Sequence, residues 1–272
     1  MALKSRICEI LGIEYPILLA GMGGASVPAL AAAVSNAGGL GVLGAAACSP
    51  DQLRSWIRQT RELTDKPFGV DTLLPASVRR GSAPQSGGAP ENPMALLGEY
   101  QQFTRDFMER EHLPEVDAAM AMRAAGAPEM GKGGPQLFSR EFFEAQMEVV
   151  IEEKVPVYAA GLGNPGPWMD RLHANGTKVM AVIGKVKHAQ QVVDSGIDMI
   201  VAQGHDGGGH NSPIGTFSLI PQVVDAVGDR VPVIGAGGIS DGRGGAAAVM
   251  LGALGAGGGT ALCPGAASQR PP

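Results

Sequence analysis

Eight short, nearly continuous apolar segments alternate with helical patterns along this chain, and this alternation limits the possible folds more than any other feature. We predict strands at residues 15–20, 40–44, 68–74, 155–161, 178–184, 198–202, 231–236 and 253–259, the last weakened by its glycines. Strands without polar alternation are typical of a parallel sheet that is covered on both faces. The number of strands predicts an α/β protein with a (β/α)8 TIM-type barrel. An open doubly wound sheet is the alternative, but no Gly-x-Gly-x-x-Gly motif follows the first strand to favour it.

The composition excludes several classes of protein. The chain has 272 residues, enough for one large domain, and its formal net charge of −5 argues against a nucleic-acid partner. No apolar run suits a signal peptide or a membrane span, so we expect a cytoplasmic protein without a membrane partner. The cysteines Cys8, Cys48 and Cys263 are scattered without metal-ligand spacing, which predicts neither a disulfide framework nor a metal site.

Residues 79–135 interrupt the alternation after the third strand. A polar stretch rich in Gly and Pro opens this insertion, and apolar residues between Leu96 and Met108 then recur at helical spacing. The insertion is too short and too polar to predict a second domain. We interpret it as a lid or a partner surface over the mouth of a barrel that comprises residues 1–262.

The end of the chain departs from a complete barrel. After Thr260 the sequence predicts no amphipathic helix, and we expect residues 263–272 to form a disordered tail. The helix that normally follows an eighth barrel strand is then missing, so the barrel is truncated at this end. We expect the apolar faces of strands seven, eight and one to be exposed or covered by another subunit, as in a homo-oligomer.

The loop after the sixth strand is the strongest candidate for a functional site. It contains Gln203, Gly204, His205, Asp206, Gly207, Gly208, Gly209 and His210 in succession. Glycine lets the backbone pass close to a ligand, and catalytic loops commonly stand on rigid strand ends. The loop therefore predicts a site for a flat cofactor and a proton-transfer group, against the alternative of a Gly-rich turn with surface histidines. His205 fits substrate binding and solvent exposure equally well.

Other strand ends carry further candidates, because barrel enzymes keep their chemistry at the carboxyl ends of the strands. These are Gly21, Met22 and Gly23 after strand one, Asp71 in strand three, Lys185 after strand five, Gly237 and Gly238 after strand seven, and Gly259 and Thr260 after strand eight. The loops after strands seven and eight are the habitual phosphate site of barrels, so they indicate the phosphate of a bound cofactor. Ser26 is predicted to cap the helix that follows strand one.

Several segments resemble one family of flavoenzymes. The most specific is Ala202-Gln-Gly-His-Asp-Gly-Gly-Gly-His210. The segments 15–17 with 21–22, 33–41, 67–71, 236–243, and 251–253 with 259–260 also match in the family's order. On these motifs the chain resembles the nitronate monooxygenases, formerly called 2-nitropropane dioxygenases, which are FMN-dependent (β/α)8 proteins. The flavin-dependent enoyl-acyl-carrier-protein reductases are the sister group. The resemblance covers residues 5–78 and 136–262.

The resemblance implies a role for each candidate residue. FMN would place its phosphate on Gly237, Gly238, Gly259 and Thr260, and its ring edge against Met22 and Gly23. Asp71, Lys185 and Gln203 would be hydrogen-bond partners of the ring, and Gly208 and Gly209 would allow its close approach. His210 aligns with the catalytic base of the family. Position 71 is Asp where the family commonly has Asn, so one amide donor is lost.

The implied activity is the oxidation of alkyl nitronates or nitroalkanes by O2 to a carbonyl compound and nitrite. A nitroalkane is a carbon acid, and a neutral imidazole, with an ordinary pKa near ~6.5, is suited to removing its α-proton. The flavin would carry the electrons. Two alternatives stay open, namely NAD(P)H-dependent enoyl reduction on the same scaffold and a truncated, non-catalytic flavoprotein.

Overall fold

The predicted barrel is confirmed by a computed structural model, which describes residues 4–74, 93–112, 139–210 and 212–263. Its strands are β1 (Ile17–Leu19), β2 (Gly41–Gly44), β3 (Phe68–Leu73), β4 (Val157–Leu162), β5 (Lys178–Ile183), β6 (Met199–Gln203), β7 (Val233–Ala236) and β8 (Gly255–Gly258). All pair in parallel in the order β1-β8-β7-β6-β5-β4-β3-β2. An isolated parallel bridge between Leu18 and Leu40 joins β1 to the start of β2, so the sheet closes on itself.

Helices alternate with these strands along the chain, except that one helix precedes β1 and two described helices separate β3 from β4. They are α1 (Arg6–Leu11), α2 (Pro28–Asn36), α3 (Pro50–Leu63), α4 (Pro93–Arg110), α5 (Arg140–Glu152), α6 (Met169–Ala174), α7 (Val186–Val193), α8 (Thr216–Val227) and α9 (Gly242–Met250). The largest buried cluster fills the layer between the sheet and these helices, and includes Leu53, Tyr158 and Ile220. This is the layer that near-continuous apolar strands require.

A second buried cluster fills the barrel interior and closes its lower end. Ile7, Cys8 and Leu11 of α1 pack there against inward side chains of the strands, such as Leu18 and Met199. Ser5 Oγ donates a 2.5 Å hydrogen bond to the carbonyl of Leu254, immediately before β8, and so ties α1 to the amino ends of the strands. Helix α1 therefore closes the end of the barrel at which the strands begin.

Two serines before helices show where local sequence signals succeed and fail. Ser49 accepts a hydrogen bond from the Gln52 backbone N–H and caps α3, as expected for a Ser-Pro pair at a helix start. The prediction that Ser26 caps α2 is wrong, because Val27 occupies the cap position. Ser26 Oγ instead donates to the Ala20 carbonyl (2.7 Å) and accepts from the Met22 N–H (3.1 Å). Ser26 therefore shapes the loop after β1.

Only part of the predicted insertion lies within the described residues. The helix expected between Leu96 and Met108 is present as α4, and its Phe103 and Phe107 are exposed. Residues 79–92 and 113–135 lie outside the described part of the chain, so the role of the insertion as a lid stays a prediction. Among the described helices, none combines the length and apolar character needed to span a membrane.

The region after β8 agrees only in part with the sequence prediction. A short 3-10 helix, Thr260–Leu262, follows the strand, and Cys263 is buried with Leu19 and Leu30 rather than belonging to a disordered tail. The remaining tail, 264–272, lies outside the described residues. Ile17 at the start of β1 and Met250 at the end of α9 are exposed apolar residues on elements that flank β8.

Candidate active site

The strand-end loops converge at one mouth, because all eight strands are parallel. The loops after β6 and β7 are in contact: a methyl group placed on Gly207 would lie 3.2 Å from the Gly237 Cα. The loops after β8 and β1 are equally close, since a methyl group on Gly259 would lie 3.2 Å from Met22 Sδ. Glycine thus allows neighbouring loops to pack backbone against backbone around the mouth.

Two side-chain hydrogen bonds help to hold the loop after β6. The Gln203 side chain donates a 3.1 Å hydrogen bond to the Gly208 carbonyl, which folds the loop back over its own strand. Asp206 Oδ2 accepts a 2.7 Å hydrogen bond from the Thr216 backbone N–H at the start of α8. This backbone hydrogen bond, followed by one from the Thr216 hydroxyl, lowers the pKa of Asp206, so the carboxylate is stabilised in its charged form.

The role of Asp206 in fixing this loop could not be predicted from the sequence. Its partner, Thr216, stands beyond several loop residues, and no local spacing rule connects the two. A side chain at Gly204 would overlap Thr216, so the glycine at the strand end is what lets the loop and the helix meet. The hydrogen bond therefore depends on a tertiary approach rather than on a helix-capping motif.

The two histidines of this loop have different surroundings. His205 is exposed, and its Nδ1 lies 3.4 Å from Asp206 Oδ2. His210 is also exposed, and among the described residues no hydrogen bond or ion pair engages its ring. Its imidazole is consequently free to meet a ligand, whereas that of His205 neighbours an acid. Asn211, which follows, lies outside the described residues.

The loop after β7 turns on two glycines with left-handed backbone. Gly237 has φ +102° and Gly238 φ +70°, and successive residues in this region favour glycine. At Gly237 a methyl group would also come within 2.6 Å of Thr216 Oγ1. Asp241 then caps α9 by accepting from the Arg243 and Gly244 N–H groups, and the Arg243 guanidinium beside it, together with these bonds, lowers its pKa.

Unpaired backbone donors collect on the loops after β7 and β8. Within the described part of the chain, no hydrogen-bond acceptor is found for the N–H groups of Gly238, Ile239, Ser240, Gly259 and Thr260. The two loops are adjacent, since a methyl group on Gly258 would lie 3.9 Å from the Ile239 carbonyl oxygen. Unpaired N–H groups near a helix N-terminus are a suitable surface for an anion such as phosphate.

The other predicted residues surround the same mouth. Met22 is half-buried and Gly23 exposed in the loop that Ser26 shapes. Lys185 immediately precedes α7, and its ammonium group forms no ion pair with the described residues. Asp71 lies within β3 beside Gly161 of β4, a glycine that the sequence analysis did not single out.

Open space remains in front of the Gly-rich segment. A methyl group placed on Gly23, Gly208 or Gly209 would meet no described atom within 4 Å. Within the described residues, the strand-end loops therefore combine glycines with open space beside them, several unpaired N–H donors and an ammonium group without an ion pair. These features fit a flat ligand that bears a phosphate.

The eight parallel strands with their alternating helices define a (β/α)8 barrel whose strand-end loops meet at one mouth. The family model of nitronate monooxygenase matches residues 4–269. The chain belongs to the nitronate monooxygenase family, which confirms the resemblance found in its motifs.

Relatives in two bacteria show the extent of the match. The protein Rv1533 of Mycobacterium tuberculosis is 36% identical over 256 residues, which cover 93% of this chain and 64% of that protein. The "Probable nitronate monooxygenase" of Staphylococcus aureus strain Newman is 35% identical over 270 residues, covering 95% of this chain and 67% of that protein. The chain thus spans about two thirds of the length of these relatives.

Solved structures show the same fold. FabK from Thermotoga maritima has a TM-score of 0.71 and 34% identity, with 98% of this chain and 64% of that chain covered. A nitroalkane oxidase from Streptomyces ansochromogenes has a TM-score of 0.70 and 30% identity, with 97% and 70% covered. Both similarities extend over nearly the whole of the present chain.

Proposed function

We propose that the protein binds FMN at the barrel mouth and oxidises alkyl nitronates or nitroalkanes with O2 to a carbonyl compound and nitrite. The observation that carries this proposal is the set of unpaired N–H donors on the adjacent loops after β7 and β8. The loop after β6, which has open space at Gly208 and Gly209 and contacts the loop after β7, would hold the planar ring. Membership of the nitronate monooxygenase family supports the same cofactor and reaction class.

The residues present fit FMN on chemical grounds. In the proposal, the phosphate is held by Gly237, Gly238, Gly259 and Thr260. Met22 and Gly23 contact the ring edge, and Asp71, Lys185 and Gln203 bind the polar side of the ring. Gly208 and Gly209 allow the ring to approach closely. Backbone N–H groups supply the phosphate contacts, in keeping with a site that has little positive charge of its own. When bound, the flavin supplies the electron acceptor for the substrate and the reductant for O2.

His210 is the proposed general base. Its exposed imidazole, which has no partner among the described residues, stands at the end of the loop after β6. In its neutral form it takes the α-proton of a nitroalkane on a ring nitrogen. Gln203 and Asp206 fix this loop on its strand and on α8, which limits the positions that the base can adopt. A pre-formed nitronate has already lost this proton and needs no base.

The test measures O2 consumption and nitrite release by the purified protein with the anion of 2-nitropropane, in the absence of NAD(P)H. The proposal predicts that both occur together and that a carbonyl product forms. Oxidation of NAD(P)H that depends on an enoyl thioester, without nitrite release from the nitronate, would instead favour enoyl reduction. A flavin-bound protein with neither activity would contradict both enzymatic proposals and leave a non-catalytic flavoprotein.

The partners of the proposed enzyme are a small nitronate or nitroalkane and O2. The exposed Ile17 and Met250 beside β8 are compatible with a homo-oligomer, which stays a prediction, as does the cytoplasmic location.

A further inference from the structure

The side chain of Asp71 belongs to the inward-facing side chains that lie nearest the mouth of the barrel. Its neighbour Val70 packs in the layer between sheet and helices, and Thr72 hydrogen-bonds Tyr158 Oη there at 2.9 Å. Since side chains alternate along a strand, Asp71 faces the barrel axis. Its partner in β2 is Gly44, the last residue of that strand, so the carboxyl group lies level with the mouth.

Two glycines enclose this carboxyl group. A methyl group on Gly161 would lie 2.6 Å from Asp71 Oδ1, and one on Gly21 would overlap Asp71 Cβ and Oδ2. The N–H of Gly161 donates a hydrogen bond to the carboxyl group. Asp71 as a whole residue is partly exposed at the mouth. A ligand can therefore reach its carboxyl group, although backbone lies close to that group on two sides.

Among the described residues, the groups around Asp71 offer no positive charge to compensate an ionised carboxylate. From β4 comes the phenol of Tyr158, whose burial raises its pKa. This phenol is neutral near pH 7. Lys185 and His210 stand on other loops of the mouth and, within the described residues, form no ion pair with Asp71.

An enclosed carboxyl group without a cation favours its neutral form. Burial raises the pKa of Asp71 to about 8, although the hydrogen bond from the Gly161 N–H lowers it. Near pH 7 the side chain therefore carries its proton, and it can donate a hydrogen bond in addition to accepting one.

We propose that Asp71 binds the flavin as a neutral carboxylic acid, donating its proton in a hydrogen bond to an acceptor of the cofactor, and that ionisation of Asp71 weakens cofactor binding. This inference rests on the proposed FMN site. A carboxylate has only acceptors and would lose that hydrogen bond. The protonated acid thus supplies the donor that an asparagine amide would supply at this position.

The sign of the pH dependence follows from this assignment. Below the pKa of Asp71 the donor is present and FMN affinity does not depend on this group. Above this pKa, each further pH unit lowers the protonated fraction of Asp71 about tenfold, and the dissociation constant of FMN rises by about the same factor. An asparagine at position 71 keeps a donor at every pH and removes this dependence.

The experiment measures the FMN dissociation constant by flavin fluorescence from about pH 6 to about pH 9.5. It compares the wild-type apoprotein with Asp71→Asn and with Asp170→Asn, the same change at an exposed position on α6. We expect wild type and Asp170→Asn to bind about 30-fold more weakly at the upper limit than near pH 7, and Asp71→Asn to show no such loss. Ionisations of FMN itself affect all three proteins equally and cancel in the comparison.

A dissociation constant that is flat with pH in wild type, or that rises equally in Asp71→Asn, would overturn the inference while leaving the FMN site intact. Absence of FMN binding in every protein at every pH would overturn the proposed function, and the inference with it. If Asp71→Asn does not fold, the wild-type curve still decides, because a constant affinity across the range contradicts a titrating donor.

Discussion

Replacement of His210 with asparagine is expected to lower turnover of a neutral nitroalkane by about 10²-fold or more while FMN stays bound. The ring makes no hydrogen bond with the described residues, so its removal should leave the fold and the loop contacts of Gln203 and Asp206 unchanged. Activity on a pre-formed nitronate should fall much less, because that substrate has already lost the proton. Steady-state rates with both forms of one substrate, beside the flavin content of the variant, measure this.

His205→Asn is the matched control for this experiment. His205 is an exposed histidine on the same loop, and its side chain neighbours Asp206 rather than standing free. Its replacement should change the ratio of nitroalkane to nitronate activity little. Equal losses on both substrates in His210→Asn would assign His210 to binding rather than to proton transfer. Unchanged rates would remove it from the mechanism.

Gly208→Val is expected to weaken FMN binding by at least about 10²-fold, or about 2.7 kcal/mol, without weakening the fold. The φ angle of Gly208 lies outside the left-handed region, and a side chain there meets no described atom within 4 Å. The apoprotein should therefore tolerate valine, with a melting temperature within about 2 °C of wild type. The added methyl groups enter the space that the flavin ring is proposed to fill, so the loss should appear in the binding measurement alone.

Gly208→Ala provides a graded control, because its single methyl group fills less of the same space. Its dissociation constant for FMN should lie between those of wild type and Gly208→Val. Equal affinity in all three proteins would show that the ring does not pass over Gly208. A large fall in the melting temperature of the Gly208→Val apoprotein would mean that the segment packs against protein rather than against a ligand.

The fold could be predicted because its signals are periodic and local. Near-continuous apolar segments such as 178–184 indicate buried parallel strands whatever the rest of the chain does. The cap at Ser49 could be predicted equally well, since a serine, a proline and an acid follow one another there. At Ser26 the same reasoning failed, because the hydroxyl has competing backbone partners at Ala20 and Met22 that only the bent loop brings close.

The site could be predicted as a set of loops but not as a set of contacts. Parallel strands place their carboxyl ends together, so Gly237 and Gly259 had to share one mouth. The bond from Thr216 to Asp206 and the enclosure of Asp71 by Gly161 depend on which loops meet in three dimensions. No spacing along the chain encodes these approaches. The raised pKa of Asp71 follows from its burial rather than from its residue type.

The flavin content of the purified protein tests the central claim most directly. Protein purified under native conditions, or incubated with excess FMN and freed of unbound ligand, is denatured, and the released chromophore is identified by mass and quantified by its visible absorption. The proposed site predicts one FMN per chain, held without a covalent bond. Colourless protein that remains free of FMN after this incubation would contradict the account.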